Sequence, residues 1–243
     1  MQERFDYQFG QQQASSIAVV NAFMRGVYRW MGIGLALTAV LAGVVTGYMK
    51  GLPYYELEQF VGRYSMIFFG LLIAEIVVVF ALSAAIQKMS AAVATSVFLV
   101  YCAMSGLTLG FILFGYTTGS IVSAFVATTA MFGALSVYGM FTSRDLTRLG
   151  PILMMALVGL IIGFIVNIFL GSGPLDYLLC VIGVVIFAGL TAYDSQKLRQ
   201  MGETTAGQDA VVVHRGKIMG ALTLYLDFIN LFIMLLRLFG NRN

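Results

Sequence analysis

Charge is scarce in this chain. Asp, Glu, Lys and Arg make up 10% of its 243 residues, against roughly a quarter in an ordinary globular domain, while hydrophobic residues make up 60%. A domain surrounded by water cannot bury that much apolar surface, so lipid has to solvate part of it. Proline is down to 3 residues. The two cysteines, Cys102 and Cys180, both lie inside apolar runs, which argues against a disulfide framework. The lone histidine, His214, falls in a polar stretch and is expected to be solvated, so a pH response inside the membrane has to run on carboxylates. A formal charge of +3, with the basic residues scattered, gives no footprint for nucleic acid. HExxH, GxSxG, a glycine-rich phosphate loop and Cys/His metal spacing are all missing. No enzymatic activity and no cofactor are therefore expected.

Long apolar runs fill the space left by these absences. Seven of them approach the ~20 residues that a bilayer-crossing helix needs: 28–49, 64–86, 91–113, 118–141, 151–171, 174–196 and 218–239. Polar, Gly- or Pro-bearing punctuation separates them, the longest being QKLRQMGETTAGQDAVVVHRGK after the sixth. The expected class is an all-α membrane protein with seven transmembrane helices. Its divisions are a polar cytoplasmic segment 1–27, a transmembrane domain 28–239 and a short tail 240–243. The head MQERFDYQFGQQQASS is too acidic and Gln-rich for a secretory n-region, so the first apolar run is expected to stay as a span. The polar stretches are too short for a second folded domain, and any chemistry has to be built between helices.

Basic residues orient the bundle. With the N-terminus cytoplasmic, the inner set is Arg4, Arg25, Arg29, Lys88, Arg144, Arg148, Lys197, Arg199, Arg215 and Lys217, and the outer set is Lys50, Arg63, Arg237 and Arg242. Ten against four favours that orientation, and an odd number of spans then puts the C-terminus in the periplasm.

Polar residues inside the runs are the candidates for function. A charge at the bilayer centre costs about 2.5–3.5 kcal/mol or more, so an intramembrane acid is a functional-site hypothesis by default. Asp227 lies inside ALTLYLDFINLFIMLLRLFG, with Asn230 close to one turn further on, and Asp194 lies near the end of the preceding run, in GLTAYDSQKL. Two carboxylates on consecutive spans have the chance to share a proton. The alternatives are a protonated packing carboxyl for Asp227 and an ion pair with Lys197 for Asp194. Glu75, in GLLIAEIVVVF, is a third intramembrane acid that needs a partner, with Asn167 as one option. It is a candidate to line the outward half of a conduction path. Arg237, near the outer end of the last run, is expected to snorkel to the interface. Intramembrane proteolysis also uses two aspartates on adjacent spans, but its pattern needs GxGD before the second, and here that position reads LYLD. Without the glycines a substrate backbone has no close approach.

SGLTL at 105–109, TSRDL at 142–146, NIFL at 167–170, TAYDSQKL at 191–198 and the run at 221–240 together resemble the Bax inhibitor-1 family, in its bacterial inner-membrane branch. The likeness covers nearly all of the chain from about residue 25. It implies a seven-helix fold whose last helix is central and wrapped by two three-helix layers, and a pH-sensitive calcium leak across the membrane. The resemblance further implies that the aspartates matching Asp194 and Asp227 share the gating proton, and that a basic residue at the end of the second helix latches one of them when the pore is closed. Lys88 stands where the calcium-leak relatives have arginine, and lysine keeps the charge but not the bidentate fork. Another bacterial branch resembles a modulator of a membrane-bound protease. The alternative is therefore a non-conducting adaptor that meets its partner through the loop 197–217 and the polar N-terminus.

Overall fold

The backbone forms seven long helices: α1 (Gln2–Gly51), α2 (Tyr54–Ala85), α3 (Ala91–Phe114), α4 (Thr118–Phe141), α5 (Leu149–Leu170), α6 (Gly173–Glu203) and α7 (Ala210–Phe239), with a 3-10 turn (Ile86–Lys88) after α2. This computed structural model describes residues 2–241, and the side chains of residues 17–60 and 62–241. Of the expected tail, residues 242 and 243 lie outside the described residues, as do Met1 and the side chain of Arg4. No strand occurs among the described residues. In lipid a helix satisfies its own backbone polar groups, which is why a chain so poor in charge resolves into helices.

The helix starts carry local caps. Ser90, Thr117, Ser172 and Asp209 each accept a backbone N–H from the first turn of α3, α4, α6 and α7. Gly171 ends α5 in the left-handed region at φ 60°, and its N–H closes onto the Asn167 carbonyl at 2.8 Å. All seven helices contain a stretch long and apolar enough to cross a membrane. Helices run beyond the apolar runs that mark them. α1 is already helical from Gln2, ahead of the run expected at 28–49. The expected loop 197–217 contracts to 204–209, because α6 and α7 continue past their apolar runs as polar helix.

α7 is the helix most enclosed by its neighbours, and it packs against α1, α3, α4 and α6. α2 and α5 bury little of themselves, and Met66, Phe80, Ile168 and Phe169 point outward, where a bilayer would solvate them. Two glycines allow backbones to touch. A Cβ on Gly139 of α4 would strike the Ala192 carbonyl of α6, and one on Gly106 of α3 would lie 2.8 Å from the Thr38 carbonyl of α1.

Candidate functional site

The α6–α7 contact brings the two aspartates together. Asp194 and Asp227 are 9% and 4% exposed, and their carboxyl groups lie within hydrogen-bonding reach of each other. Oδ2 of Asp227 is buried without a protein donor among the described residues. Two bare carboxylates at this separation repel and leave an acceptor unpaired, whereas one proton between them removes both costs. Lys197 forms no ion pair with Asp194 among the described residues, and its ammonium lies 5.8 Å from the centroid of the Tyr193 ring.

Both acids line one cavity of about 430 Å³ between α2, α5, α6 and α7. Ser83, Thr223 and Asn230 add polar atoms to a wall otherwise built from side chains such as Leu157, Phe164 and Met219. Asn230 does not bond Asp227. Its Nδ2 donates to the Leu226 carbonyl at 2.8 Å. The set resembles a small polar patch in an apolar chamber rather than a metal cage. No group of three or more His, Cys, Asp or Glu side chains suited to a metal occurs among the described residues.

The α4–α5 loop is tied to the helix that carries Asp194. Gln196 accepts from the Leu146 N–H and donates to the Arg144 carbonyl, both at 2.8 Å, and Ser195 bonds Ser136 at 3.0 Å. Gln196 is a positioning residue that the sequence reading passed over. Its only signal was its place two residues after Asp194, where the apolar run gives way to polar helix. In the same loop, the hydroxyl and N–H of Thr147 hold the Asp145 carboxyl below its ordinary range.

The other candidates fall elsewhere. Glu75 accepts from Thr108 Oγ1 at 2.5 Å on the α3 side of the bundle and is not brought to the aspartate pair. Behind it, Tyr225 Oη lies 2.7 Å from Thr38 Oγ1. Tyr225 and Asp227 are two residues apart on α7, so they point to nearly opposite sides of it. Asn167 does not serve Glu75, since its Oδ1 accepts the Ser172 N–H at 3.1 Å. Lys88 is exposed in the 3-10 turn, and no ion pair joins it to either aspartate among the described residues.

Two expectations are corrected. Arg237 does not snorkel alone: its guanidinium pairs with Asp176 in the first turn of α6 and lies 4.9 Å from the centroid of the Phe164 ring. A cation within that distance of an aromatic face gains from the ring quadrupole. His214 is not a solvated loop residue. It sits in the second turn of α7, with Nε2 2.8 Å from Thr95 Oγ1 and its ring edge-on to Trp30.

The family model described as inhibitor of apoptosis-promoting Bax1 matches residues 20–243. The chain is 48% identical to inner membrane protein YbhL of Escherichia coli (strain K12), over 93% of this chain and 94% of that protein. A protein of Borreliella burgdorferi is 39% identical, over 95% of this chain and 97% of its own. A membrane protein of Streptococcus pyogenes serotype M3 is 37% identical, over 92% and 94%.

Proposed function

Because the chain belongs to the Bax inhibitor-1 family, we propose that it is a pH-sensitive cation leak of the bacterial inner membrane, with calcium as the cation and the Asp194–Asp227 pair as its gate. The observation that carries this reading is the buried Asp227 carboxyl beside that of Asp194 across the α6–α7 contact, with its Oδ2 unpartnered among the described residues. One shared proton holds α6 and α7 together in the closed state. A second proton breaks the sharing, leaves two neutral carboxyls and biases the helices toward an open arrangement. A few kcal/mol between the two states is enough for such a shift. Calcium takes six to eight oxygen ligands, and the few oxygens of this cavity suit passage better than tight holding.

The latch belongs to the same proposal. Ser83 is the α2 residue on the cavity wall, and Lys88 follows it at the end of the helix. An inward swing of the 3-10 turn brings the ammonium toward Asp194, the acid nearer that end of the bundle. Calcium flux from liposomes, read as a function of pH, tests gate and latch together. Acidification should raise flux in the parent protein. Asp194→Asn and Asp227→Asn should each flatten that dependence, and flux at neutral pH should fall in the order Lys88→Ala, parent, Lys88→Arg. Unchanged pH profiles in both aspartate variants would remove the gate assignment, and three equal traces would end the latch. No flux at any pH would favour the adaptor.

A further inference from the structure

On the side of α7 away from the aspartate pair, α1 and α4 stand apart and leave an apolar groove of about 500 Å³, floored by Phe228, Ile229 and Phe232 of α7 and by Leu109 and Leu113 of α3. We propose that this groove binds one acyl chain of an anionic glycerophospholipid, with the phosphate at Lys50. The inference is independent of whether the chain conducts.

The groove opens to the membrane rather than to water. Ala39, Gly43 and Gly47 recur every fourth residue along its α1 edge, all exposed, and a Cβ on either glycine would meet nothing within 4 Å. From across the gap α4 contributes Val122 and Phe125, both of which remain half exposed. The protein therefore leaves this space open at both walls, and in a bilayer hydrocarbon fills it.

Length points to a lipid chain. The lining runs from Leu35 to Lys50, sixteen residues or about 22 Å of α1, along which an extended acyl chain can lie. The depth also agrees, because half of a ~30 Å hydrocarbon core is spanned by about ten residues of α1, from Lys50 to near Ala39.

Chemistry at the mouth selects the headgroup. Polar side chains along the groove are turned away from it: Thr38 Oγ1 donates to the Cys102 carbonyl, and Thr46 Oγ1 donates to the Gly110 carbonyl at 3.0 Å. Lys50 is the charged residue of the lining, at the end where α1 stops and α4 begins. Among the described residues its ammonium makes one bond, to the Tyr116 carbonyl at 3.1 Å, and an ammonium carries three donors with which to meet a phosphate oxygen as well. The first turn of α4, with Thr118 in the lining, adds the positive end of a 24-residue helix beside it.

The test is native mass spectrometry of the full-length protein in mild detergent, supplied with phosphatidylglycerol or phosphatidylcholine of equal chain length. The parent should retain one phosphatidylglycerol about fivefold more strongly than phosphatidylcholine, the ~1 kcal/mol that one lysine contributes at an anionic surface. Lys50→Gln should erase the headgroup preference. Gly47→Leu and Val122→Trp fill the groove from opposite walls and should each lower retention of either lipid at least tenfold, with the helical circular-dichroism signal intact. Gly47→Leu also improves helix propensity; if it nevertheless misfolds, Val122→Trp decides alone. Equal retention in the parent and the filled variants overturns the proposal. So does a change in oligomer mass in place of a change in bound lipid, which would make the occupant a second copy.

Discussion

Arg237 shows what a single charge does when it finds a partner inside the bundle. Its pairing with Asp176 and its seat over Phe164 convert an apparent interface anchor into a clamp between the last helix and the start of the sixth. Both side chains keep about a quarter of their surface exposed, so screening discounts the pair below the 3–5 kcal/mol of a fully buried one. Arg237→Met should lower stability by about 1–2 kcal/mol, and Asp176→Asn by a similar or smaller amount. The double variant should cost less than the two added together, because no unpaired charge remains. Thermal unfolding in detergent measures all three, and strict additivity would mean that the pair is not coupled. Asp194 and Asp227 were legible as a pair because a carboxylate within an apolar run stands out at once and the two runs are consecutive. Arg237 and Asp176 were not, since they are 61 residues apart and nothing in the sequence marks which helix ends meet. His214 was misplaced for a related reason: a polar neighbourhood in sequence says little about Thr95 and Trp30, which reach it from other helices.

Among the helices, hydropathy located each crossing but not each helix end. A helix ends where its backbone bonding is capped, whereas an apolar run ends where the lipid does, and the two need not coincide. The polar stretch after the sixth run therefore reads as a long loop although most of it is the continuation of α6 and α7, capped at Asp209. The short turns are better marked, because Ser90, Thr117 and Ser172 are capping residues placed directly before apolar runs. Close helix contact leaves a sequence signal too, in the small residues of α4, but not the identity of the facing helix. Gly139 is where that matters, since its α carbon lies against the Ala192 carbonyl, two residues before Asp194. Gly139→Leu should push α4 from α6 and destabilise the bundle by about 1–3 kcal/mol or more, the usual range for overpacking. Gly133→Leu, on the same helix with open space around its Cβ, is the control and should change little. Equal unfolding temperatures for the two variants would show that the α4–α6 contact is not the constraint.

At the scale of the whole molecule, seven candidate spans, an odd count, would place the two termini on opposite faces of a membrane. The end of α1, the α3–α4 turn and the end of α7 gather at one face, where Lys50 bonds Tyr116 and the Thr117 N–H donates to the Asn241 carbonyl. Few basic residues lie there. At the other face gather the α2–α3 turn with Lys88, the α4–α5 loop with Arg144 and Arg148, and the start of α7 with Arg215 and Lys217. Basic segments flanking membrane spans are retained in the cytoplasm, so this richer face should be the inner one and Asp194 should lie nearer to it. A phosphatase reporter that is active only in the periplasm, fused after Asn243, should be active, and the same reporter inserted after Asp145 should be silent. The opposite pattern would invert the bundle; it would also place the aspartate pair nearer the periplasm, so that external rather than internal acidification would have the shorter route to the proposed gate.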